Sequence, residues 1–270
     1  MNYRIIEKEG VKLVQFTRLE EIDFVKHGFS TRTGGVSSEP FSQLNLGRKT
    51  DDSIENIREN TKRFCKAVGV KFEDLVVSDQ VHKDKIQIVT AKDRGKGFTK
   101  EMDFENIDAM ITNERNVPLI TYFADCVPLY LVDPIKKVVG LAHAGWPGTV
   151  LKIGKKTVEK MMAEYKSKPE EIIVVIGPSI GQCCYEVSED VINKFNTNFT
   201  DASSFVVSKG GGKYMLDLWQ ANRIALKEIG VLDRNIEVSK ICTGCTTNLF
   251  FSHRKEKGNT GRMASIIELT

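Results

Sequence analysis

The chain has 270 residues, 41% hydrophobic and 28% charged, which is typical of a globular protein that can bury a sizeable core. Its 39 basic and 36 acidic residues are well mixed along the sequence and leave a formal net charge of +3. There is no basic stripe of the kind that a phosphate backbone requires, so we expect no nucleic-acid partner.

The N-terminal sequence and the cysteines indicate the cellular compartment. Residues 1–16 mix acidic and basic side chains where a secretory signal would carry an apolar block, and no apolar run approaches membrane-spanning length. The six cysteines are unevenly spaced, which fits a reducing compartment better than a disulfide framework. We therefore expect a cytoplasmic protein with no membrane partner.

The first third of the chain predicts strands around a glycine-containing loop. Short strands are predicted at residues 3–6 and 11–16, and the loop at residues 27–37 contains Gly34 and Gly35, which allow backbone amides to approach a ligand. Arg32 on this loop offers a guanidinium to an anion, although a solvated turn explains the same pattern. A helix follows, capped by Asp51 or Asp52 and ended by Gly69.

Buried strands are predicted at the centre of the chain. Residues 118–123 and 129–132 are apolar runs before a turn at Asp133, and residues 138–142 form a third run after it. The ends of these runs carry Asp125, Cys126 and His143. A strand-turn-strand return would bring Cys126 close to His143, although a buried cysteine and a core histidine are the alternative interpretation.

Further elements are predicted on both sides of this centre. A strand at residues 75–77 leads to His82, and other strands are predicted at residues 86–89, 107–112, 172–176 and 264–269. Helices are predicted at residues 150–165, 189–195 and 218–229, the last capped by Asp217. Residues 199–212 are polar with a glycine triplet and predict a loop.

The remaining cysteines give a weaker signal. Cys242 and Cys245 form a Cys-x-x-Cys pair, but no second Cys or His pair is expected beside it, and only His253 lies downstream. Adjacent side chains point in different directions, so Cys183 and Cys184 are interpreted as packing residues.

One constellation has compatible chemistry, formed by His82, Cys126 and His143 beside apolar strands. Two imidazoles and one thiolate leave a fourth tetrahedral position open, as in catalytic zinc sites. Copper (Cu²⁺) competes for the same ligands, so the residues alone leave the metal open between Zn²⁺ and Cu²⁺. The sequence has no P-loop, dinucleotide fingerprint or Gly-x-Ser-x-Gly elbow.

Longer sequence blocks carry a resemblance. In chain order they are HGFSTRTGGVS, SDQVH, DAMIT, TYFADCVPLYLVDP, GLAHAGWPGT, IGPSIGQCCYEV and FFSHRKEKGNTGR. They resemble those of the YfiH-like family, also called the laccase-domain or multicopper polyphenol oxidase family, whose members are purine nucleoside phosphorylases. The resemblance implies an α/β (α+β) fold, with residues 1–270 forming a single layered domain of mixed β-sheets flanked by helices.

The resemblance also implies the residues of the site. His82, Cys126 and His143 are the implied zinc ligands of a catalytic pocket, and loop residues around Arg32 shape it. The predicted substrate-binding residues are Arg32, Asn45, Asp125 and Arg254. Arg32 is the preferred anion donor and Arg254 the second, with a solvated basic loop as the alternative for Arg254. The family's common Tyr in the FFSYR block is His253 here, so a role for a phenol at that position is in doubt.

The implied activity is phosphorolysis of adenosine, inosine, related nucleosides and methylthioadenosine, with deamination of adenosine as a second reaction. Purine nucleosides and phosphate are therefore the expected partners, and the oligomeric state stays open. The competing function is copper-dependent polyphenol oxidation of the laccase type. A multicopper cluster needs many imidazoles, and this chain has four histidines in all. A metal-stabilised binding protein without turnover is the third possibility.

Overall fold

A computed structural model describes residues 2–270, and the chain in this range alternates between two large β-sheets. In chain order the strands are β1 (Tyr3–Lys8), β2 (Val11–Phe16), β3 (Val25–Ser30), β4 (Val76–Val77), β5 (Ile86–Ile88), β6 (Ala109–Thr112), β7 (Leu119–Phe123), β8 (Val127–Asp133), β9 (Val138–Ala144), β10 (Ile173–Ile176), β11 (Glu186–Ser188), β12 (Val206–Gly210), β13 (Lys213–Leu216), β14 (Ile236–Val238) and β15 (Met263–Leu269). The helices are α1 (Thr17–Glu20), α2 (Ile54–Val68), α3 (Trp146–Val150), α4 (Ile153–Tyr165), α5 (Glu189–Asn198) and α6 (Leu218–Glu228).

The two large sheets each have six strands and pack face to face. Sheet 1 has the order β1-β2-β3-β15-β7-β4 and sheet 2 the order β14-β10-β8-β9-β6-β5. Both are mixed, because β4 pairs parallel to β7 in sheet 1, and β5 and β14 pair parallel to their neighbours in sheet 2. The implied architecture of mixed sheets flanked by helices is therefore confirmed.

Alternation along the strands explains the layers. In β8, Tyr130 faces sheet 1 and is buried among residues such as Phe16, while its neighbours Leu129 and Leu131 face the helices. Helices α4 and α6 pack on that outer face of sheet 2, and α2 packs on the outer face of sheet 1. The hydroxyl of Tyr130 donates to the Gly28 carbonyl at 2.9 Å, which satisfies a buried polar group between the sheets.

The chain crosses from sheet 1 to sheet 2 at two neighbouring places. Residues 78–85 join β4 to β5, and residues 124–126 join β7 to β8. Strand β9 pairs with β8 and β6 in sheet 2, so its C-terminal end lies beside both crossings. Non-strand backbone from two connections therefore meets at one edge of the sheet sandwich.

Helix α2 is capped by a residue that differs from the prediction. Ser53 is the N-cap, and its hydroxyl accepts the Asn56 N–H at 3.1 Å. The Asp52 carboxylate is occupied elsewhere, because it accepts from the side chains of Ser37, Asn45 and Asn56. Gly69 is confirmed as the C-terminal residue that adopts a left-handed conformation, with φ of 86°.

Two other segments also differ from the sequence prediction. The helix predicted at residues 150–165 is split into α3 and α4, because Lys152 adopts a left-handed φ of 56° between them. The loop predicted at residues 199–212 contains β12, which forms a hairpin with β13. Gly210, Gly211 and Gly212 all have positive φ and make the turn of this hairpin. Across residues 2–270, no helix has both the length and the apolar character required to cross a bilayer.

The Ser53 cap gives a stability prediction. Ser53→Ala removes the acceptor for the Asn56 N–H, so the free energy of unfolding should fall by about 1 kcal/mol in urea denaturation. Ser38→Ala is the control, because Ser38 is exposed and its hydroxyl makes no hydrogen bond within residues 2–270. An equal loss in both variants would contradict the assigned cap.

Candidate metal centre

Three side chains with metal-binding chemistry meet where the chain crosses between the sheets. His82 lies on the first crossing and Cys126 ends the second, while His143 lies near the end of β9. Their ligand atoms all lie within 4.8 Å of one another, and the Cys126 Sγ is 3.7 Å from the His82 Nε2. The predicted strand-turn-strand return brings Cys126 close to His143, because Pro128 pairs with His143 in the β8–β9 hairpin.

The backbone around these residues adopts unusual conformations. His82 and Asp125 have φ of 62° and 80°, in the left-handed region that residues with a Cβ rarely occupy. A side chain at Gly145 would also collide with the cluster, since an added Cβ would lie 2.8 Å from the His82 Cδ2 and 3.0 Å from the Cys126 Sγ. Such strained positions persist only when surrounding contacts hold them in place.

Asp108 supplies these contacts at His82. Its buried carboxylate accepts the backbone N–H groups of Val81, His82 and Lys83 at 2.8–3.1 Å and contacts the His143 Nδ1 at 2.9 Å. A proton on Nδ1 is thereby directed to the carboxylate, which leaves the His143 Nε2 free as a ligand. The sequence pattern did not predict this role of Asp108. The available signal was a single carboxylate immediately before an apolar strand.

The electrostatics of the cluster favour a positive charge next to the thiolate. Burial raises the pKa of the Cys126 thiol, but the two histidines outweigh it and lower the pKa to about 6. Burial lowers the pKa of the His143 imidazole, whereas Cys126 and Asp108 raise it to about 9. One thiolate and two imidazole nitrogens are the donor set of a three-ligand zinc site with an open position, so the residues present fit such an ion.

The group formed by His82, Cys126 and His143, here called the metal cluster, lines one part of a cavity of about 620 Å³. This is a usual volume for a small-molecule site. Arg48, His253 and Arg262 line its wall together with the three candidate ligands. Ser78 and Tyr122 also line this cavity, and among residues 2–270 the buried Ser78 Oγ and Tyr122 hydroxyl lack a hydrogen-bond partner. Buried polar groups without a partner are rare, so these two atoms mark where a polar ligand is expected.

Arg32 does not line this cavity. Its guanidinium donates to the carbonyls of Ser42 and Thr247 and to the Glu256 carboxylate, at 2.9–3.0 Å. The same group lies over the Phe251 ring, with 4.4 Å between the guanidinium carbon and the ring centroid. These contacts favour a structural role, and direct binding of substrate by Arg32 stays a prediction.

Asn45 is likewise engaged within the protein. Its amide donates to Thr50 and Asp52, and its oxygen accepts the N–H groups of Gly47 and Arg262 at 2.9 Å. Gly47 and Arg262 both line the cavity. Asn45 therefore positions two wall residues, and a direct contact with substrate stays a prediction.

The other two predicted substrate-binding residues contact each other. The Asp125 carboxylate accepts from the Thr243 hydroxyl and from the Arg254 N–H, both at 2.7 Å. The Arg254 guanidinium donates to the Glu186 carbonyl and lies over the Tyr185 ring. Both residues lie beside the metal cluster rather than on the cavity wall, and their contact with substrate stays a prediction.

The expectation that no second Cys pair lies beside Cys242 and Cys245 is wrong. Cys242 and Cys245 do have a second ligand pair, because their sulfurs lie within 4.8 Å of those of Cys183 and Cys184. The adjacent pair lies in consecutive turns, with the Cys184 N–H bonded to the Gly181 carbonyl, so that both sulfurs reach the same cluster. The separation of 58 to 62 residues between members of the two pairs hid this arrangement in the sequence.

Known proteins with similar sequences and structures share this fold. The family model described as "Multi-copper polyphenol oxidoreductase laccase" matches residues 26–270. Purine nucleoside phosphorylase YlmD of Bacillus subtilis is 39% identical over 241 residues, covering 89% of this chain and 87% of YlmD. A Staphylococcus epidermidis purine nucleoside phosphorylase is 34% identical over 268 residues and 99% of both chains. The crystal structure of Bacillus licheniformis hypothetical protein YfiH superposes with a TM-score of 0.92 at 37% identity, over 99% of both chains.

The role of Asp108 is directly testable. Asp108→Asn should weaken zinc binding by about tenfold to a hundredfold, because the amide loses the charge that orients His143. A competition titration with a chromophoric chelator measures this change. Asp133→Asn is the matched control, since Asp133 is equally buried but accepts only from its own turn. Unchanged zinc affinity in Asp108→Asn would contradict the role.

Proposed function

Because the chain belongs to the multi-copper polyphenol oxidoreductase laccase family, with relatives named purine nucleoside phosphorylases, we propose that it is a zinc-dependent purine nucleoside phosphorylase. Its proposed substrates are adenosine, inosine, related nucleosides and methylthioadenosine, each with phosphate. We propose that residues 1–270 act as one domain, and that the enzyme is cytoplasmic. The six unpaired cysteines support that location.

The observation that carries this proposal is the wall of the cavity beside the metal cluster. A nucleoside has an apolar base plane and several hydroxyl and nitrogen groups at its edges, so its site needs both surfaces. Tyr122 offers an aromatic ring, and its hydroxyl and the Ser78 Oγ have no protein partner. These atoms suit the polar edges of a nucleoside, and His82, Cys126 and His143 lie at one end of the same cavity.

Phosphate requires a cation on the wall, and Arg48 is the best candidate. Arg48 lines the cavity, lies over the Phe98 ring and has no carboxylate partner in the part of the chain that the structure describes. A guanidinium can hold a phosphate through two parallel hydrogen bonds. Phosphate then attacks the anomeric carbon of the ribose, and the bond to the purine breaks as positive charge develops on the sugar.

The departing purine takes up the bonding electron pair and needs a proton. His253 lies on the cavity wall and carries an imidazole, a group that can donate a proton to the departing base. A metal ion held by His82, Cys126 and His143 would supply Lewis acidity, the chemistry that also suits deamination of adenosine at the same site.

Copper-dependent phenol oxidation is the competing function, favoured by the description of the family. Only two of the four histidines belong to the metal cluster identified within residues 2–270. His27 is not available as a copper ligand, because it is buried and its Nε2 accepts the Phe16 N–H at 2.8 Å. Burial lowers the pKa of its imidazole to about 3. A multicopper cluster of imidazoles is therefore not supported, and phosphorolysis remains the proposal.

The proposed activity predicts that release of free base depends on phosphate. Purified protein incubated with adenosine or inosine should release adenine or hypoxanthine in phosphate buffer and almost none without phosphate, as followed by chromatography. Cys126→Ala should abolish the release, because it removes the only thiolate of the metal cluster. Base release at the same rate with and without phosphate would indicate a hydrolase instead. Oxidation of phenols without base release would favour the copper enzyme.

Arg48 gives a sharper test of the phosphate position. Arg48→Ala should lower adenine release from adenosine by about tenfold to a hundredfold, the loss of a charge-assisted contact of about 1.5–3 kcal/mol. Formation of inosine should change much less, because deamination uses no phosphate. Arg58→Ala is the matched control, since Arg58 is also exposed and lies over a phenylalanine ring, but outside the cavity. Equal loss of both products in Arg48→Ala would contradict the assignment.

A further inference from the structure

A second group of metal-binding side chains lies outside the site described above. The sulfurs of Cys183, Cys184, Cys242 and Cys245 all lie within 4.8 Å of one another. The Cys245 Sγ is 3.5 Å from that of Cys183 and 3.4 Å from that of Cys184, and the latter two are 3.9 Å apart. A disulfide requires sulfurs about 2.05 Å apart, so these three thiols are not bonded in pairs.

These distances agree with a tetrahedral metal site. Four sulfurs at about 2.3 Å from a central zinc ion are separated from one another by about 3.8 Å. The three sulfur–sulfur separations given above fall on both sides of this value. Four thiolates fill every position of the tetrahedron, so such a site has no open position and is structural rather than catalytic.

The local backbone is shaped to bring the two cysteine pairs together. An added Cβ at Gly244 would lie 3.0 Å from the Cys184 Cβ and 3.2 Å from its Sγ, so a residue without a side chain permits this approach. The Gly181 N–H donates to the Cys242 Sγ at 3.2 Å, a hydrogen bond that stabilises a thiolate. Both loops therefore present donors suited to a bound cation.

We infer that Cys183, Cys184, Cys242 and Cys245 form a closed four-thiolate zinc site that joins the loop after β10 to the loop after β14. Zinc is favoured over iron because Cys183 and Cys245 are exposed to solvent, where a redox-inert ion is stable. This inference is independent of the proposed reaction, since none of the four cysteines belongs to the candidate metal centre.

The proposed zinc site would hold the backbone next to the candidate metal centre. Thr243 lies between the two cysteines of one pair, and its hydroxyl donates to the Asp125 carboxylate at 2.7 Å. Tyr185 follows the other pair and lies under Arg254, whose N–H donates to the same carboxylate. Asp125 precedes the ligand Cys126 and has a positive φ, so both cysteine loops support a strained position.

Zinc content measured by elemental analysis tests the inference. The protein expressed with added zinc should contain about two ions per chain, Cys126→Ala about one, and the double variant Cys242→Ser, Cys245→Ser about one. Cys65→Ser is the matched control, because Cys65 is a buried cysteine outside both clusters, and it should retain both ions. A double variant with the same zinc content as the unaltered protein would overturn the inference.

A second measurement is needed in case the double variant does not fold. In the Cys126→Ala protein loaded with zinc, the four cluster thiols should react slowly with a thiol reagent, and a chelator should release zinc and all four thiols together. Cobalt in place of zinc should give the intense visible absorption of a tetrahedral thiolate complex. Freely reactive thiols before chelation, iron–thiolate absorption in the protein as purified, or an intact mass that indicates disulfides would each contradict the zinc site.

Discussion

The structure of the candidate site depends on the buried Asp108 carboxylate. It accepts three consecutive backbone N–H groups from the first crossing between the sheets and bonds to His143 on β9. A buried carboxylate is costly unless it is fully hydrogen-bonded, so these four contacts stabilise one another. The same bonds hold His82 in its left-handed conformation and set which nitrogen of His143 is free. One side chain thus fixes the position of two of the three candidate metal ligands.

The arrangement of the sheets explains why the cavity lies beside these ligands. Both crossings leave sheet 1 and enter sheet 2 at the same edge, so loops rather than paired strands form the wall there. Loops can carry polar groups that a strand interior would have to pair, and the unpartnered Ser78 Oγ, just after β4, is an example. Cys126, immediately before β8, and His143, near the end of β9, lie together because these two strands pair. A cavity with a metal cluster at one end and cationic side chains on its wall follows from this topology.

The sequence predicted what depends on local pattern and failed where distant segments meet. Apolar runs predicted β7, β8 and β9, and the turn at Asp133 correctly implied that Cys126 and His143 approach each other. Arg32 was predicted to bind an anion through its guanidinium, and Asn45 was predicted as a substrate-binding residue, but the structure surrounds both with protein partners. The two cysteine pairs were interpreted as unrelated, because no periodicity in the sequence relates the loop after β10 to the loop after β14. Long-range contacts of this kind are set by the packing of whole elements.

The central claim is that His82, Cys126 and His143 hold one metal ion at the end of the cavity. X-ray diffraction from crystals of the zinc-loaded protein, recorded above and below the zinc absorption edge, tests it without reference to turnover. We predict an anomalous difference peak about 2.0–2.3 Å from the His82 Nε2, the Cys126 Sγ and the His143 Nε2. A zinc-loaded crystal without a peak among these three atoms would contradict the account.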